Sequence, residues 1–399
     1  MTATSIAARA PRLQSIDILR GLVMVIMAID HTRDFLSNAT FDATDMAHTN
    51  PALFMTRWIT HFCAPVFVLL AGTGAFLSVS NGKPKGELAR FLASRGLWLV
   101  FLEVFVVTPL GWSFNWDFSF VRMQVIWAIG ASMVILAGLV LVTPRHWIGA
   151  LGVVMVMGHN LLDGLNPAQL GGFAPAIHFL HAITPVPIAP HKMLIFLYPL
   201  IPWLGVMMVG YGLGDVVSLE PARRTRVLAW TGLAMLVLFI AIRAGNLYGD
   251  PKPWTQQSTG VMSALSFLNA NKYPPSLAYL LMTLGPALIL LAFIDRAPRQ
   301  ITGPLATFGR VPLFYYLLHL PLIHGLAILL SLVRYGQAPW LFHDMMAQRG
   351  ATHPLPAGYG YDLWVVYAVW AAVIIGLYPV CKWFAGVKRR HRHPLLSYL

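Results

Sequence analysis

The stretch SIDILRGLVMVIMAIDHTRDF, from Ser15 to Phe35, is apolar enough to enter a bilayer, yet it carries Asp17, Arg20, Asp30, His31, Arg33 and Asp34. Ionisable groups in a membrane helix are costly, so they face a cavity, pair with one another and mark a functional path. Read as a helix rising roughly 1.5 Å per residue, the segment sets Arg20 and His31 about 16 Å apart. Arg20 then sits near one membrane face and His31 deep in the membrane or beyond its midplane. A basic anchor and a titratable nitrogen at opposite ends of one helix suggest chemistry across a membrane.

The surrounding chain supports a membrane setting. Of its 399 residues 57% are hydrophobic and only 11% charged, against about a quarter charged in soluble domains. The composition predicts an all-α, polytopic integral membrane protein. Ten apolar stretches approach the roughly 20 residues that a span needs: 14–34, 57–80, 91–111, 122–142, 146–163, 193–214, 227–245, 275–295, 308–333 and 362–385. Charges interrupt the first. The fifth is short and Gly-rich, and reads as a broken or partly re-entrant helix. We expect a single integral-membrane domain over residues 1–399, with its core at 13–385 and short basic cytoplasmic tails.

Lysine and arginine give an independent register through the positive-inside rule. With both termini cytoplasmic and ten alternating spans, the inner side holds 19 of the 28 basic residues, including Arg9, Arg12, Lys83 and Arg392. The net charge of +13 is then mostly a topology signal, and no basic-aromatic motif points to nucleic acid. Histidine runs the other way, with eleven of 14, His353 among them, in outer loops or within spans. Cys63 and Cys381 fall on opposite faces, which argues against a disulfide or a thiolate metal site. The N-terminus lacks a cleavable signal pattern, so the first helix serves as its own insertion signal.

Several constellations could carry chemistry. Asp34 lies at i+3 from His31 on one helical face, and a carboxylate there would fix the imidazole tautomer. The alternative is a plain polar cluster in which Asp30 pairs with Arg33. His61 opens the second span and either lines the same cavity or caps the helix, while Pro65 and Gly72 suggest close packing against the first helix. Arg90 and Arg95 flank the inner start of the third span. With Arg20, Lys83 and Lys85 they could hold an anion, since guanidinium suits phosphate, or they could be ordinary flanking charge. Glu103, alone in that span, calls for a partner such as Arg20 or Arg95. Arg122 and Gln124 start the fourth span at its outer end, as rim groups or helix caps. Trp112, Trp116, Asn246 and Trp254 give the outer loops aromatic faces with polar rims, which suit sugars. His319 and His324, five apart around Pro321, are a weak pattern for haem, and no zinc-type spacing occurs.

The segment from Arg20 through ten residues to His31 resembles the arginine-x10-histidine signature of acyltransferase-3 type membrane acyltransferases. SIDILRGLVMVIMAIDHTRDFLS, THFCAPVFVLLAGTGAFL, QVIWAIGASM, YPLIPWLGVMMVGYGLG, FLNANKYPPSLAYLLMTLGP and FGRVPLFYYLLHLPLIH resemble, in order and spacing, the bacterial heparan-α-glucosaminide N-acetyltransferase-like family. The resemblance implies transfer of an acyl group, with acetyl from cytoplasmic acetyl-CoA as the expected case, to a carbohydrate or glycolipid acceptor across a bacterial inner membrane, without metal or haem. It maps Arg20 and His31 onto the signature and implies a histidine as acyl carrier or general base. Taken with the residues above, we expect Arg20, Arg90 and Arg95 to hold the donor and His31, oriented by Asp34 and assisted by His61, to be catalytic. In the lysosomal heparan enzyme the essential histidine follows the first span, which keeps His48 as the second candidate. A transporter or flippase of a lipid-linked sugar, using Asp and His as a proton relay, is the reading from another class. Acceptor, acyl group and any homo-oligomer stay open.

Overall fold

A computed structural model of the chain describes residues 13–80, 82, 84–343, 355–391, 393, 396 and 398. Arg9, Arg12, Lys83, His353 and Arg392 lie outside them. The protein is a bundle of long helices. In chain order the elements are α1 (Gln14–Leu36), α2 (Pro51–Ile59), α3 (Cys63–Ser80), α4 (Lys85–Leu102), a π-helical stretch (Glu103–Ser113) and β1 (Phe120–Met123). Then follow α5 (Val125–Val142), α6 (Arg145–Gly158), α7 (Ala174–Leu180), β2 (Val186–Ala189), β3 (Lys192–Phe196), α8 (Leu200–Val217) and α9 (Pro221–Gly245). The chain closes with α10 (Gly260–Leu268), α11 (Leu277–Phe293), α12 (Arg299–Arg310), α13 (Pro312–Tyr335) and α14 (Leu363–Arg390).

Among the described residues eight helical segments are long and apolar enough to cross a membrane, and the fold is an all-α polytopic membrane protein. The two further expected spans are the irregular ones. In α1 the apolar run is broken by Asp17, Arg20, Asp30, Arg33 and Asp34. In α6 the regular helix stops after 14 residues and a 3₁₀ turn, His159–Leu162, continues it. The second span starts earlier than expected, at Pro51, where the Asn50 side chain caps the helix by accepting from the Leu53 N–H at 3.0 Å.

Two elements were not anticipated. The connecting segments form a small sheet in the order β1-β3-β2, with β1 parallel and β2 antiparallel to β3; β3 takes the start of the sixth expected span, which is helical only from Leu200. Pro187 sits on the edge strand β2, where its missing donor costs no ladder bond. Between the eighth and ninth expected spans the chain forms α12, whose Ala306, Phe308 and Gly309 are buried.

α1 is the axis, packed against α3, α12, α13 and α14. Its tightest crossing is with α12. A β-carbon on Gly21 would lie 1.8 Å from the Leu305 carbonyl oxygen, and one on Gly309 would lie 1.8 Å from that of Asp17. Small residues of this kind let membrane helices meet backbone to backbone. Gly72 does not face α1 as expected. Its open side receives the Met207 carbonyl of α8, 2.0 Å from where a β-carbon would be. The contact of α3 with α1 comes instead from Cys63, whose thiol donates to the Val23 carbonyl at 3.3 Å. Cys63 and Cys381 are both free.

Glu103 also finds a partner other than the expected arginines. Its carboxylate accepts from the backbone N–H of Trp127 at 3.1 Å, in the first turn of α5. A helix N-terminus offers unpaired N–H groups and a positive dipole end, so it suits a buried carboxylate as well as a guanidinium would.

Candidate active site

The two ends of α1 open on two cavities. At the Arg20 end lies one of about 310 Å³, lined by Arg20, Arg95, Arg310 and Lys388 and by apolar side chains that include Phe91 and Leu99. Arg20 is held there by Asp17, at 3.4 Å, and by the Gly309 carbonyl, at 3.2 Å. The Gly21–Gly309 crossing thus fixes the height of the guanidinium. Arg95 faces this cavity, whereas Arg90 is exposed on α4 and does not line it. Arg310 and Lys388, two of the 19 basic residues that the positive-inside pattern assigns to the inner side, thus also line a cavity.

At the His31 end lies a larger cavity of about 620 Å³, lined by Asp30, His31, Arg33, Asp34, Arg57, Trp112, Arg122, Gln124, Tyr198, Lys272, Tyr273 and Tyr316, with the loop 39–43 above it. Phe67, Val125 and Tyr316 line both cavities. The two chambers therefore share a wall, at the level between Arg20 and His31.

The charges in the larger cavity centre on Asp30. One oxygen of its carboxylate accepts from Arg57, the other forms an ion pair with Arg33 at 2.7 Å, and the Lys272 ammonium stands 4.0 Å away. Asp34 accepts from Arg33 at 2.7 Å, while its other oxygen is 4.0 Å from His31 Nδ1. That distance is too long for a hydrogen bond, so the pair is close but not joined. Asp34 is the more exposed carboxylate, at 38% of its side chain against 11% for Asp30.

The His31 ring meets the edge of Trp112 at 5.1 Å and lies 5.2 Å from the ring of His319, centroid to centroid. His319 is fully buried. Its Nδ1 is 2.8 Å from the Tyr316 carbonyl and 3.2 Å from that of Tyr315. A carbonyl can only accept, so the proton is on Nδ1 and the lone pair on Nε2. Among the described residues neither His319 Nε2 nor His31 Nδ1 has a hydrogen-bond partner.

The π-helical stretch supplies Trp112. Its wider turn is supported by the Thr108 hydroxyl, which donates to the Glu103 carbonyl five residues back at 2.9 Å. Such widened turns recur at functional sites. Arg122 stacks over the Trp112 ring at 4.2 Å, so Trp112, Arg122 and Gln124 come together in the cavity wall.

The other expected residues lie elsewhere. His61 is buried against Tyr279, whose hydroxyl donates to the His61 carbonyl at 2.7 Å, and its neighbours Thr60 and Cys63 line the cavity in its place. His48 is exposed and hydrogen-bonds Asp45 at 2.7 Å; that bond and the Ala47 N–H hold the Asp45 carboxyl below its usual pKa. Trp116 is 58% exposed. Asn246 and Trp254 bond to each other through the Asn246 amide, at 3.0 and 3.1 Å, and neither lines the cavity. Arg57, Lys272 and His319 are the residues that sequence reasoning did not bring to this site.

A family described as heparan-alpha-glucosaminide N-acetyltransferase, catalytic, matches residues 12–247, which take in α1 to α9. No curated protein matches the chain.

Proposed function

The chain belongs to the heparan-alpha-glucosaminide N-acetyltransferase catalytic family, and from that premise we propose that it is a transmembrane acyltransferase taking an acyl group from cytoplasmic acyl-CoA to a carbohydrate or glycolipid acceptor on the far side. The observation that carries this reading is the pair of cavities at the two ends of α1, one ringed by cations and one holding His31, with Phe67, Val125 and Tyr316 common to both. A donor with phosphates at one end and a thioester at the other has the shape that two such chambers need.

In this reading Arg20, Arg95, Arg310 and Lys388 bind the donor's phosphates from the cytoplasm, since charge-assisted bonds to phosphate are strong and directional. Arg90, on the exposed face, serves the approach of the donor. Trp112, Arg122 and Gln124 seat the acceptor, and the aromatic faces of Tyr198 and Tyr316 cover a sugar ring. His31 takes the proton from the acceptor hydroxyl or amine as that atom attacks the thioester carbonyl. The C–S bond breaks, and His31 returns the proton to the departing thiolate. The same imidazole could instead carry the acyl group between two half-reactions. Asp34 and His319, both beside the ring, set its orientation.

Acetyl-CoA is the simplest donor, and the bacterial inner membrane with both termini cytoplasmic is the setting that puts the basic cavity inside. The test is to incubate membranes containing the protein with radiolabelled acetyl-CoA and to follow the label. Label on an envelope glycan or glycolipid, dependent on His31, is the expected result. Label that never leaves CoA, while a lipid-linked sugar changes leaflet, would replace the transferase with a flippase.

A further inference from the structure

We infer that the cations around Asp30 form an anion-binding subsite beside His31, and that the acceptor carries a phosphate or carboxylate group that docks there. The inference deepens the acyl-transfer reading and rests on it.

The first ground is the charge count. Arg33, Arg57 and Lys272 converge on the single buried carboxylate of Asp30, all four at 8 to 13% exposure of their side chains. Asp34 shares Arg33 but lies nearer the surface. The cavity wall as a whole holds four cations, Arg33, Arg57, Arg122 and Lys272, against three carboxylates, Asp30, Asp34 and Asp42, and an uncompensated buried charge is strongly unfavourable. A purely structural ion pair needs no third cation.

The second ground is that donors remain unused. The Lys272 ammonium stands 4.0 Å from its nearest carboxylate, beyond hydrogen-bond range, and 5.1 Å from the Tyr273 ring centroid. Nη1 of Arg33 is buried and has no hydrogen-bond partner among the described residues. Both side chains line the cavity.

The third ground is preorganisation. Lys272 sits on a loop whose backbone is tied down on both sides. The Asn271 N–H donates to Asp250 at 3.0 Å, the Asn271 side chain donates to the Pro274 carbonyl at 2.9 Å, and the Ser276 N–H donates to the Asn271 carbonyl at 2.9 Å. A loop held in this way presents its ammonium at a fixed point, as binding sites require. Since Asp30 adjoins His31 in the chain, an anion held by these cations leaves the rest of the acceptor within reach of the imidazole.

The test uses the purified full-length protein in detergent and needs no turnover. Binding of glucose 1-phosphate, glucuronate and glucose is measured by calorimetry at low salt. We expect at least one of the charged sugars to bind ten times more tightly than glucose or better, and the phosphate and carboxylate arms identify which anion is recognised. Lys272→Met should remove that preference and Lys272→Arg should keep it. If Lys272→Met does not fold, inorganic phosphate and acetate serve as competitors of the bound sugar in the unaltered protein. Equal binding of all three sugars, no measurable binding of either charged one, or a Lys272→Met protein that keeps the preference overturns the subsite. Those failures are separate from failure of the acyl-transfer reading, which is decided by where the label of acetyl-CoA goes.

Discussion

His319 and His31 lie with their ring centroids 5.2 Å apart, and neither the Nε2 lone pair of His319 nor the Nδ1 of His31 has a hydrogen-bond partner among the described residues. A linear N–H···N bond of about 2.9 Å would hold two imidazoles at roughly this separation. A small rotation of His31 therefore joins them, with the proton on His31 Nδ1 and the working lone pair on Nε2. Asp34, 4.0 Å from the same nitrogen, can accept the same proton. His319→Ala should lower kcat by about 10- to 100-fold, by analogy with the loss of the orienting partner of a metal-bound imidazole. KM for the donor should stay unchanged, and His319→Gln, whose side-chain carbonyl still accepts, should recover part of the rate. A parallel loss of kcat and folded protein in both variants would leave His319 as packing only. Asp34→Asn, measured beside them, should slow transfer without abolishing it, because the imidazole and its second neighbour remain.

Removal of His31 itself is the most direct check on the chemistry. General-base catalysis is typically worth about 10²–10⁴-fold, so His31→Ala should lose at least that much transfer with insertion and donor binding near normal. His48 is exposed and paired with Asp45, and His48→Ala should be nearly silent. A His31→Ala protein with more than a tenth of normal turnover, beside an inactive His48→Ala, would move the role to the outer loop.

The donor end predicts a graded series. Arg20→Ala and Arg95→Ala, at positions that line the basic cavity, should each weaken acetyl-CoA binding by about 10- to 150-fold, the equivalent of one charge-assisted bond of about 1.5–3 kcal/mol. Arg90→Ala, on the exposed face of α4, should change affinity far less. Equal losses at all three positions would mean that general positive charge, and not the cavity, attracts the donor.

How far the sequence could be read depended on the kind of signal. The apolar runs located the long helices because burial in lipid requires about 20 apolar residues whatever they pack against. α12 escaped because it is a short helix of 12 residues between two expected spans, and the β1-β3-β2 sheet because its strands are four or five residues long. At the site, Arg20 and His31 were legible from a single helix, and so were Arg122 and Gln124 from their place at a span's outer end. Arg57, Lys272 and His319 come from distant segments and converge only in space. One signal could have found two of them. Nine basic residues fall outside the positive-inside pattern, and four of these, Arg33, Arg57, Arg122 and Lys272, line the His31 cavity. Charges that break the topology rule are costly enough to need another reason.

Topology follows from the same basic residues and is tested without any substrate. Reporter fusions after Val217, in the turn before α9, should report the cytoplasm, as should fusions after Ser80. Fusions near Asn50 and Ala338, on the His31 side, should report the outside. Reversal at any two of these sites would put the basic cavity on the outer face and remove the donor site with it.

The crossing of α1 and α12 ties the fold to the donor site and can be broken at one atom. A β-carbon at Gly21 would stand 1.8 Å from the Leu305 carbonyl oxygen, and the obstacle is backbone, which cannot swing aside as a side chain would. Overpacking in a close-packed interior typically costs about 1–3 kcal/mol, and a clash between two backbones belongs at the upper end. Gly21→Ala should therefore lower the thermal unfolding midpoint in detergent. It should also weaken acetyl-CoA binding, because separating the helices pulls Arg20 away from the Gly309 carbonyl that holds it at 3.2 Å. Gly74→Ala, where an added β-carbon meets nothing within 4 Å, is the control and should be nearly neutral in stability. A Gly21→Ala protein as stable as the Gly74→Ala control would show that the two helices can part freely, and the fixed height of Arg20 would no longer explain how the donor is placed.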